Sequence, residues 1–457
     1  MACKLLFVAP SAYVLSGLAT WLDYLEPGLA QRGWDVIIGL VEGARHHKPE
    51  RYLAEHAHRQ WIKIPCFTAT AEGRRRAVID ALSHVRPHLV NSVNIPDAMA
   101  AVGTLRGTAS WAPRIAVTIH GTIPYLFENI AIYRAVLDGA VCANRLAARL
   151  ANKLSGLAPE RIAYAPSGVV VPPTAAVVPR QRRLVIAWAG RMDHREKRAL
   201  DLPLILAELN RRGVPFECLV AGAGPDEEPL QDRLAEFIES GSVCWLGRVP
   251  HQEMAKRVFR NVHAFLMTSA TEGSPHVVWE AMANGTALVT AAFLGLGHDG
   301  VLEHDSNALI YAPGDIEAAA AQLERLWRDG ELLSRIARRG REAVAEHYCV
   351  ARSVEAWDRG FRQIMELPAR HSTWQPTPEC HGRLDRLLGP RLAESCRIAL
   401  GRRCELPCPG AEWPHMHGTK GWEDDAFWSI AGAEDQAAMN ARGPASVHEP
   451  FESRLKS

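Results

Sequence analysis

Two tandem α/β domains, each a doubly wound parallel sheet, are what the sequence predicts, and three observations carry the prediction. Short apolar runs alternate with amphipathic stretches of helical period from Leu5 to about residue 347. A turn-rich polar bridge interrupts the series near 170–182, and 457 residues are too many for one core. With 47 % hydrophobic and 23 % charged residues the composition is globular. A formal charge of +1, with no apolar run of 18 residues, argues against binding to nucleic acid and against a bilayer-spanning chain.

The chain opens on Leu5-Leu6-Phe7-Val8-Ala9, which Pro10 stops at the length of a strand. A leader peptide is the competing reading of these residues. Against it, a helical pattern follows (Leu18, Trp21, Leu22, Leu25, Leu29), ends at Arg32-Gly33 and gives way to Val36–Leu40, which completes a β-α-β unit. Further strands are expected at 89–93, 114–118 and 140–143, separated by helices over 72–86, 96–106 and 144–155. Pro166-Ser167-Gly168, Pro172-Pro173 and Pro179–Arg183 then continue neither element type. A second series begins at Leu184–Gly190 and alternates strands at 216–221, 243–247, 263–268 and 286–290 with helices up to 347. The expected division is a first domain over 1–170, a linker over 171–182, a second domain over 183–350 and a helix over 351–368 that returns to the first domain. An irregular tail containing Cys and His follows over 369–457.

Ten widely spaced cysteines do not form a disulfide framework and fit a reducing, cytoplasmic setting. In the tail, Cys380, Cys396, Cys404, Cys408, His415 and His417 would suffice for one zinc ion. They lack any CxxC pairing, so unpaired thiols and no metal are expected.

Doubly wound sheets bind ligands beyond the carboxyl ends of their strands, and two such sheets facing one another would enclose a deep cleft. The most informative loop is Thr271–Gly285. Ser274 as N-cap and Pro275 at the first helical position are expected to open a helix that Asn284-Gly285 closes. Glu272 then precedes the helix, and Glu280 lies about 9 Å along it beneath His276. Two carboxylates at different depths suit a nucleotide-sugar, whose diphosphate separates a ribose diol from a sugar ring. The amides near Gly273 can donate to its oxygens. Alone, the pair reads more simply as an acid favoured by the helix dipole and a second acid facing solvent.

Other loops change that balance. Ala189–Lys197 follows the first strand of the second series, and its Arg191 and Lys197 can neutralise a diphosphate. Ala221-Gly222-Ala223-Gly224-Pro225 is a strand-to-helix turn whose glycines can equally serve packing. Leu246-Gly247-Arg248-Val249-Pro250 ends another strand and can offer backbone groups to a base.

Together, EGSPHVVWE at Glu272–Glu280, AGRMDHREK at 189–197, LVAGAGPDEEPL at 219–230 and WLGRVPHQEM at 245–254 resemble glycosyltransferase family 4, the group 1 glycosyl transferases of GT-B fold. The resemblance covers roughly residues 3–367. It implies a retaining, metal-independent transferase in which Glu272 binds donor-sugar hydroxyls, Glu280 binds the ribose, and Arg191 and Lys197 hold the departing diphosphate. Gly190, Gly222, Arg248, Val249, Gly273, Ser274, Pro275 and His276 would complete the donor site. It further implies that Gly17 lies near the donor phosphates and that His120, in Thr118–Thr122, lies near the transferring sugar. Departures are a single glycine at Ser16-Gly17, Pro166-Ser167-Gly168 in place of Asn-Gly, and a Gly190–Lys197 loop one residue longer than usual.

The implied function is transfer of a sugar from a nucleotide-diphosphate sugar to a saccharide or lipid-linked saccharide, in polysaccharide or glycoconjugate synthesis. The donor counts as a substrate, with UDP favoured over GDP, and no cofactor is expected. A non-catalytic nucleotide-sugar-binding subunit and a GT-B epimerase or phosphorylase are the alternatives. Residues 1–170 carry 18 Lys+Arg against 12 Asp+Glu, so the first domain is basic beneath the neutral total. Arg74-Arg75-Arg76 opens an amphipathic stretch there. Peripheral contact with the anionic inner face of a membrane is a further expectation, weighed against an ordinary solvated helix.

Overall fold

The apolar runs pair into two wholly parallel sheets in the computed structural model, which describes residues 2–11, 17–43, 47–175, 182–374, 381–404 and 421–441. The polypeptide divides into two compact units. The first takes in the chain up to Ala143, Ala147–Ala165 and Val354–Asp424, and the second takes Asn144–Leu146, Pro166–Ser353 and the chain from Asp425.

In the first unit the chain runs β1 (Cys3–Pro10), α1 (Gly17–Gln31), β2 (Trp34–Glu42), α2 (Pro49–Glu55), β3 (Trp61–Pro65), α3 (Ala71–Val85) and β4 (Leu89–Val93). It continues through α4 (Pro96–Thr108), β5 (Arg114–Ile119), α5 (Pro124–Tyr133), β6 (Gly139–Cys142), α6 (Arg145–Ser155) and β7 (Ile162–Tyr164). The sheet order is β3-β2-β1-β4-β5-β6-β7. Leu5 to Ala9 of β1 are fully buried, as a strand covered by helices on both faces requires.

The second unit runs β8 (Leu184–Arg191), α7 (His194–Lys197), α8 (Asp201–Arg211), β9 (Phe216–Ala223), α9 (Glu227–Glu239), β10 (Val243–Gly247), α10 (His251–Arg257) and β11 (Ala264–Met267). It continues through α11 (His276–Ala283), β12 (Ala287–Ala291), α12 (Leu296–Asp299), β13 (Leu309–Tyr311), α13 (Ile316–Arg328) and α14 (Gly330–His347), in the order β10-β9-β8-β11-β12-β13. Leu184, Ile186 and Trp188 enter one apolar cluster while Val185, Ala187 and Ala189 enter another, so alternate side chains of β8 feed the cores on its two faces.

Three helices follow. α15 (Val350–Glu366) belongs to the first unit from Val354 onward, where Trp357 packs on Trp21 at 4.7 Å between ring centroids and Phe361 packs on Phe7 at 5.9 Å. The segment expected to be an irregular tail contains α16 (Arg383–Ala399), bent at Gly389, and α17 (Asp425–Asn440). α16 lies on α3 within the first unit: Glu394 accepts from Thr68 Oγ1 at 2.5 Å and Thr70 Oγ1 at 2.6 Å, and Arg76 donates to the Arg391 carbonyl at 2.8 Å. α17 lies on α12 in the second unit, where buried Asp435 accepts from the Gly295 and His298 amides.

The basic surface expected at Arg74–Arg76 is therefore absent. Arg74 and Arg75 are buried, Arg74 pairing with Asp97 at 3.4 Å and Arg75 with Glu72, and Arg76 is held by Glu72 and α16. Among the described residues no helix is long and apolar enough to cross a membrane, and no cluster of three or more His, Cys, Asp or Glu side chains has the geometry of a metal site. Cys380, Cys408, His415 and His417 lie outside the described residues.

Candidate functional site

In the second sheet the connection order reverses between β8 and β11, the central neighbouring pair. Open α/β sheets hold their ligands beyond the carboxyl ends of the two strands at such a reversal. Arg191 is the last residue of β8 and Lys197 the last of α7, which follows it, while Glu272 lies in the loop after β11.

The loops are tied together. Asp193 caps α7 by accepting from the Glu196 amide at 3.2 Å. Arg198 ends α7 in the left-handed region, with φ 47°. The Ala270 amide donates to the Glu196 carbonyl at 2.9 Å, and Thr268 Oγ1 donates to the Lys197 carbonyl at 2.6 Å. Thr268 in turn accepts from Trp188 Nε1. This bracing delivers Lys197 Nζ to Glu272 Oε1 at 2.6 Å, with the carboxylate buried and the ammonium partly open to solvent. Arg191 is half-exposed and pairs with Asp193 at 3.0 Å and with Glu196 at 2.9 Å. Burial pushes the Glu196 carboxyl above its ordinary range, against the pull of Arg191 and Lys197.

α11 starts at His276, one residue later than the sequence suggests. Pro275, not Ser274, occupies the N-cap, and no side chain caps the helix. The proline's rigid backbone sets the turn, and Gly285 ends the helix with φ 90°. Gly273, whose carbonyl accepts from Asn144 Nδ2 at 2.6 Å, and Ser274 lie between Glu272 and this start. One turn below His276, Glu280 faces His251 of α10, with Oε1 and Nδ1 3.4 Å apart. Burial raises the Glu280 carboxyl to about 8 and lowers the His276 imidazole to about 4, His251 adding to the latter shift. At neutral pH, Glu280 is thus mostly a protonated acid and His276 a neutral ring. The His276 Nδ1 is buried with no hydrogen-bond partner among the described residues.

The glycines divide by cause. A Cβ on Gly222, at φ 142°, would stand 2.0 Å from the Gly190 carbonyl oxygen, so Gly222 is required where β8 and β9 end side by side. A Cβ on Gly190 would meet only the Trp188 ring, at 3.9 Å, leaving that position open. Arg248 is exposed beyond β10, while the Val249 side chain is in the core and can offer only its backbone to a ligand. Gly17 and His120 belong to the first unit. Gly17 begins α1, and His120 follows β5 and packs on Trp21 of that helix at 4.5 Å and on Trp357 at 5.9 Å.

The structure thus gathers Gly190, Arg191, Lys197, Gly222 and Glu272 at the switch of the second sheet, with Glu280 and His276 on the adjoining helix. Sequence reasoning did not identify Glu196 and Asp193 as the partners of Arg191, or His251 as the partner of Glu280. A charge run hides which acid faces inward, and the His251–Glu280 pairing depends on two helices meeting.

Residues 175–343 match the family model described as glycosyl transferases group 1. Among curated proteins, the chain is 28 % identical over 192 residues to a 2-deoxystreptamine glucosyltransferase of Streptomyces kanamyceticus, covering 42 % of this chain and 49 % of that protein. It is 29 % identical over 150 residues to a lipopolysaccharide 1,6-galactosyltransferase of Salmonella typhimurium, covering 32 % and 40 %. The chain therefore spans about half the length, or less, of these relatives. Among solved structures, a lipopolysaccharide outer core galactosyltransferase in its apo form aligns over 79 % of this chain and 99 % of its own, with TM-score 0.62 and 17 % identity. The Anabaena protein HepE in complex with UDP-glucose aligns over 80 % and 100 %, with TM-score 0.61 and 16 % identity. Residues 175–343 of the second unit are thus similar to the group 1 glycosyl transferases, and the chain that carries them has the GT-B fold.

Proposed function

We propose that the protein is a retaining glycosyltransferase that moves a sugar from a nucleotide-diphosphate sugar to a saccharide or lipid-linked saccharide in glycoconjugate synthesis. The observation that carries the reading is the Lys197–Glu272 pair, 2.6 Å apart at the switch of the second sheet, with Arg191 at the end of β8 before Lys197. A cation for the leaving diphosphate and a carboxylate for the sugar hydroxyls stand side by side, as a donor's own dipolar layout requires. The glucosyl and galactosyl transfers in the relatives' names, and the UDP-glucose in the HepE structure, favour a UDP-hexose.

In this mechanism the anomeric C–O bond to the diphosphate breaks as the acceptor oxygen bonds to the same face of the sugar. The acceptor's proton passes to a phosphate oxygen of the leaving group. Negative charge grows on the diphosphate, and Arg191 and Lys197 stabilise it, which assigns to side chains the work a divalent cation does elsewhere. Glu272 orients the sugar through its hydroxyls, and Glu280 accepts from the ribose diol. The Arg191–Glu196 and Lys197–Glu272 pairs must open as the donor enters, so the cations are held in place before it arrives.

Incubation with a panel of radiolabelled nucleotide-sugars and a membrane extract, with and without EDTA, tests the reading. Labelled glycoconjugate formed in both conditions is the expected result. Nucleotide release without a labelled product would assign hydrolysis instead, and loss of product with EDTA would overturn the metal-independent step.

A further inference from the structure

We propose that the outer face of α16 is a docking surface for an anionic lipid bilayer. Large apolar side chains are rarely left in water together, yet Leu387, Leu388 and Leu392 are 80, 42 and 63 % exposed, and Ile398 and Leu400, further along the segment, are 56 and 64 % exposed. All five lie within 14 residues of the first unit, four of them on α16.

The charges around them are sorted by sign. Within residues 381–404 every exposed charged side chain is an arginine: Arg383, Arg386 and Arg391 among the leucines, then Arg402 and Arg403 beyond the end of the helix. Both acids of the segment are buried and have partners there. Asp385 pairs with buried Arg397, and Glu394 accepts from Thr68 and Thr70. A solvated helix would intersperse both signs on its exposed face. A protein partner of ordinary composition would not call for an outer face carrying cations alone. Leucines that enter the acyl boundary and arginines that reach phosphate headgroups are what an interfacial helix presents to an anionic bilayer.

The anchoring points the same way. The inward side of α16 is held to α3 by a buried carboxylate, two threonine hydroxyls, the Arg76 guanidinium and the Ala71 amide, which donates to His381. The apolar face is thus fixed outward rather than left to fold back on the unit. The non-helical Gly389, followed by Pro390, bends α16 between Leu387–Leu388 and Leu392, all three of which are exposed.

Flotation of the full chain with vesicles tests this, comparing phosphatidylcholine alone with phosphatidylcholine containing phosphatidylglycerol. The chain is expected to float with the anionic vesicles at low salt and to be released at high salt. The variant Leu387→Gln/Leu388→Gln/Leu392→Gln is expected to lose flotation. Arg386→Gln/Arg402→Gln/Arg403→Gln should weaken it roughly 100-fold, with melting temperatures unchanged. Flotation that survives the leucine variant, or that is equal on neutral vesicles, would overturn the proposal. So would an absence of flotation at low salt, or a dimer in light scattering that the leucine variant dissolves, which would assign the face to a second copy.

Discussion

Lys197 and Glu272, 75 positions apart in sequence, meet at 2.6 Å because the loops that carry them leave neighbouring strands on either side of the sheet's reversal point. Each has its charge satisfied by the other. Lys197→Ala is expected to lower kcat by about 10²–10³-fold through lost stabilisation of the leaving group. It should also cost about 1–2 kcal/mol of stability, a buried-pair penalty reduced by the ammonium's partial exposure. Steady-state kinetics with the donor, alongside thermal unfolding, separate the two effects. An unchanged kcat would remove Lys197 from the reaction.

The Glu280 carboxyl sets a pH dependence whose sign is fixed by its burial. The native acid keeps its proton up to about pH 8, whereas an unfolded glutamate releases it near its ordinary value of 4.5. Between those limits the native state binds more protons, so the stability contributed by this group falls as pH rises from about 4.5 to 8 and is level above. Glu280→Gln should remove that slope, so the variant gains on the wild type by several kcal/mol, to order of magnitude, across this window. Chemical denaturation at pH 5 and pH 8 reads the difference.

The same titration bears on the donor. A ribose diol donates to a carboxylate, so nucleotide affinity should rise between pH 7 and pH 9 in the wild type and stay flat in Glu280→Gln. Calorimetric titration with UDP checks this. A flat wild-type profile would place the ribose elsewhere.

Gly222 and Gly190 occupy adjacent strand ends yet should respond in opposite ways. Gly222→Ala forces a methyl group into the Gly190 carbonyl and is expected to destabilise by about 2–4 kcal/mol. Gly190→Ala has room and should leave the melting temperature within a degree or two. Any loss of donor affinity in this second variant would then report close backbone approach by the ligand.

Glu394 is the buried anchor of α16. Glu394→Ala leaves the Thr68 and Thr70 hydroxyls without their acceptor and should cost about 2–3 kcal/mol locally. Limited proteolysis is expected to cut first within residues 381–404 of the variant while the rest of the chain resists.

Much of this arrangement was legible in the residues. Strands buried on both faces, such as Leu89–Val93 and Ala264–Met267, announce themselves as unbroken apolar runs, and the Glu272, Arg191 and Lys197 loops follow from their places after such strands. The edge strands Trp61–Pro65, Ile162–Tyr164 and Leu309–Tyr311 were missed because three to five residues leave no measurable period. α17 does carry a stripe, at Phe427, Trp428, Ala431, Asp435 and Met439, but a buried acid and an adjacent glycine break its apolar signature. Arg74 and Arg76 read as solvated because nothing local reveals that Asp97 pairs with the first or that a helix three hundred residues away holds the second.

The return of α15 to the first unit has a consequence for synthesis on the ribosome. Trp357 and Phe361 are fully buried against Trp21 and Phe7, so the first unit's core contains side chains that emerge only after the whole second sheet has been made. The second unit has most of its own core earlier and is free to fold while the first waits with an open aromatic face. Such long-range closure is slow and exposes apolar surface meanwhile. The first 165 residues expressed alone should accumulate as aggregate, and the order of folding in this chain runs against its order of synthesis.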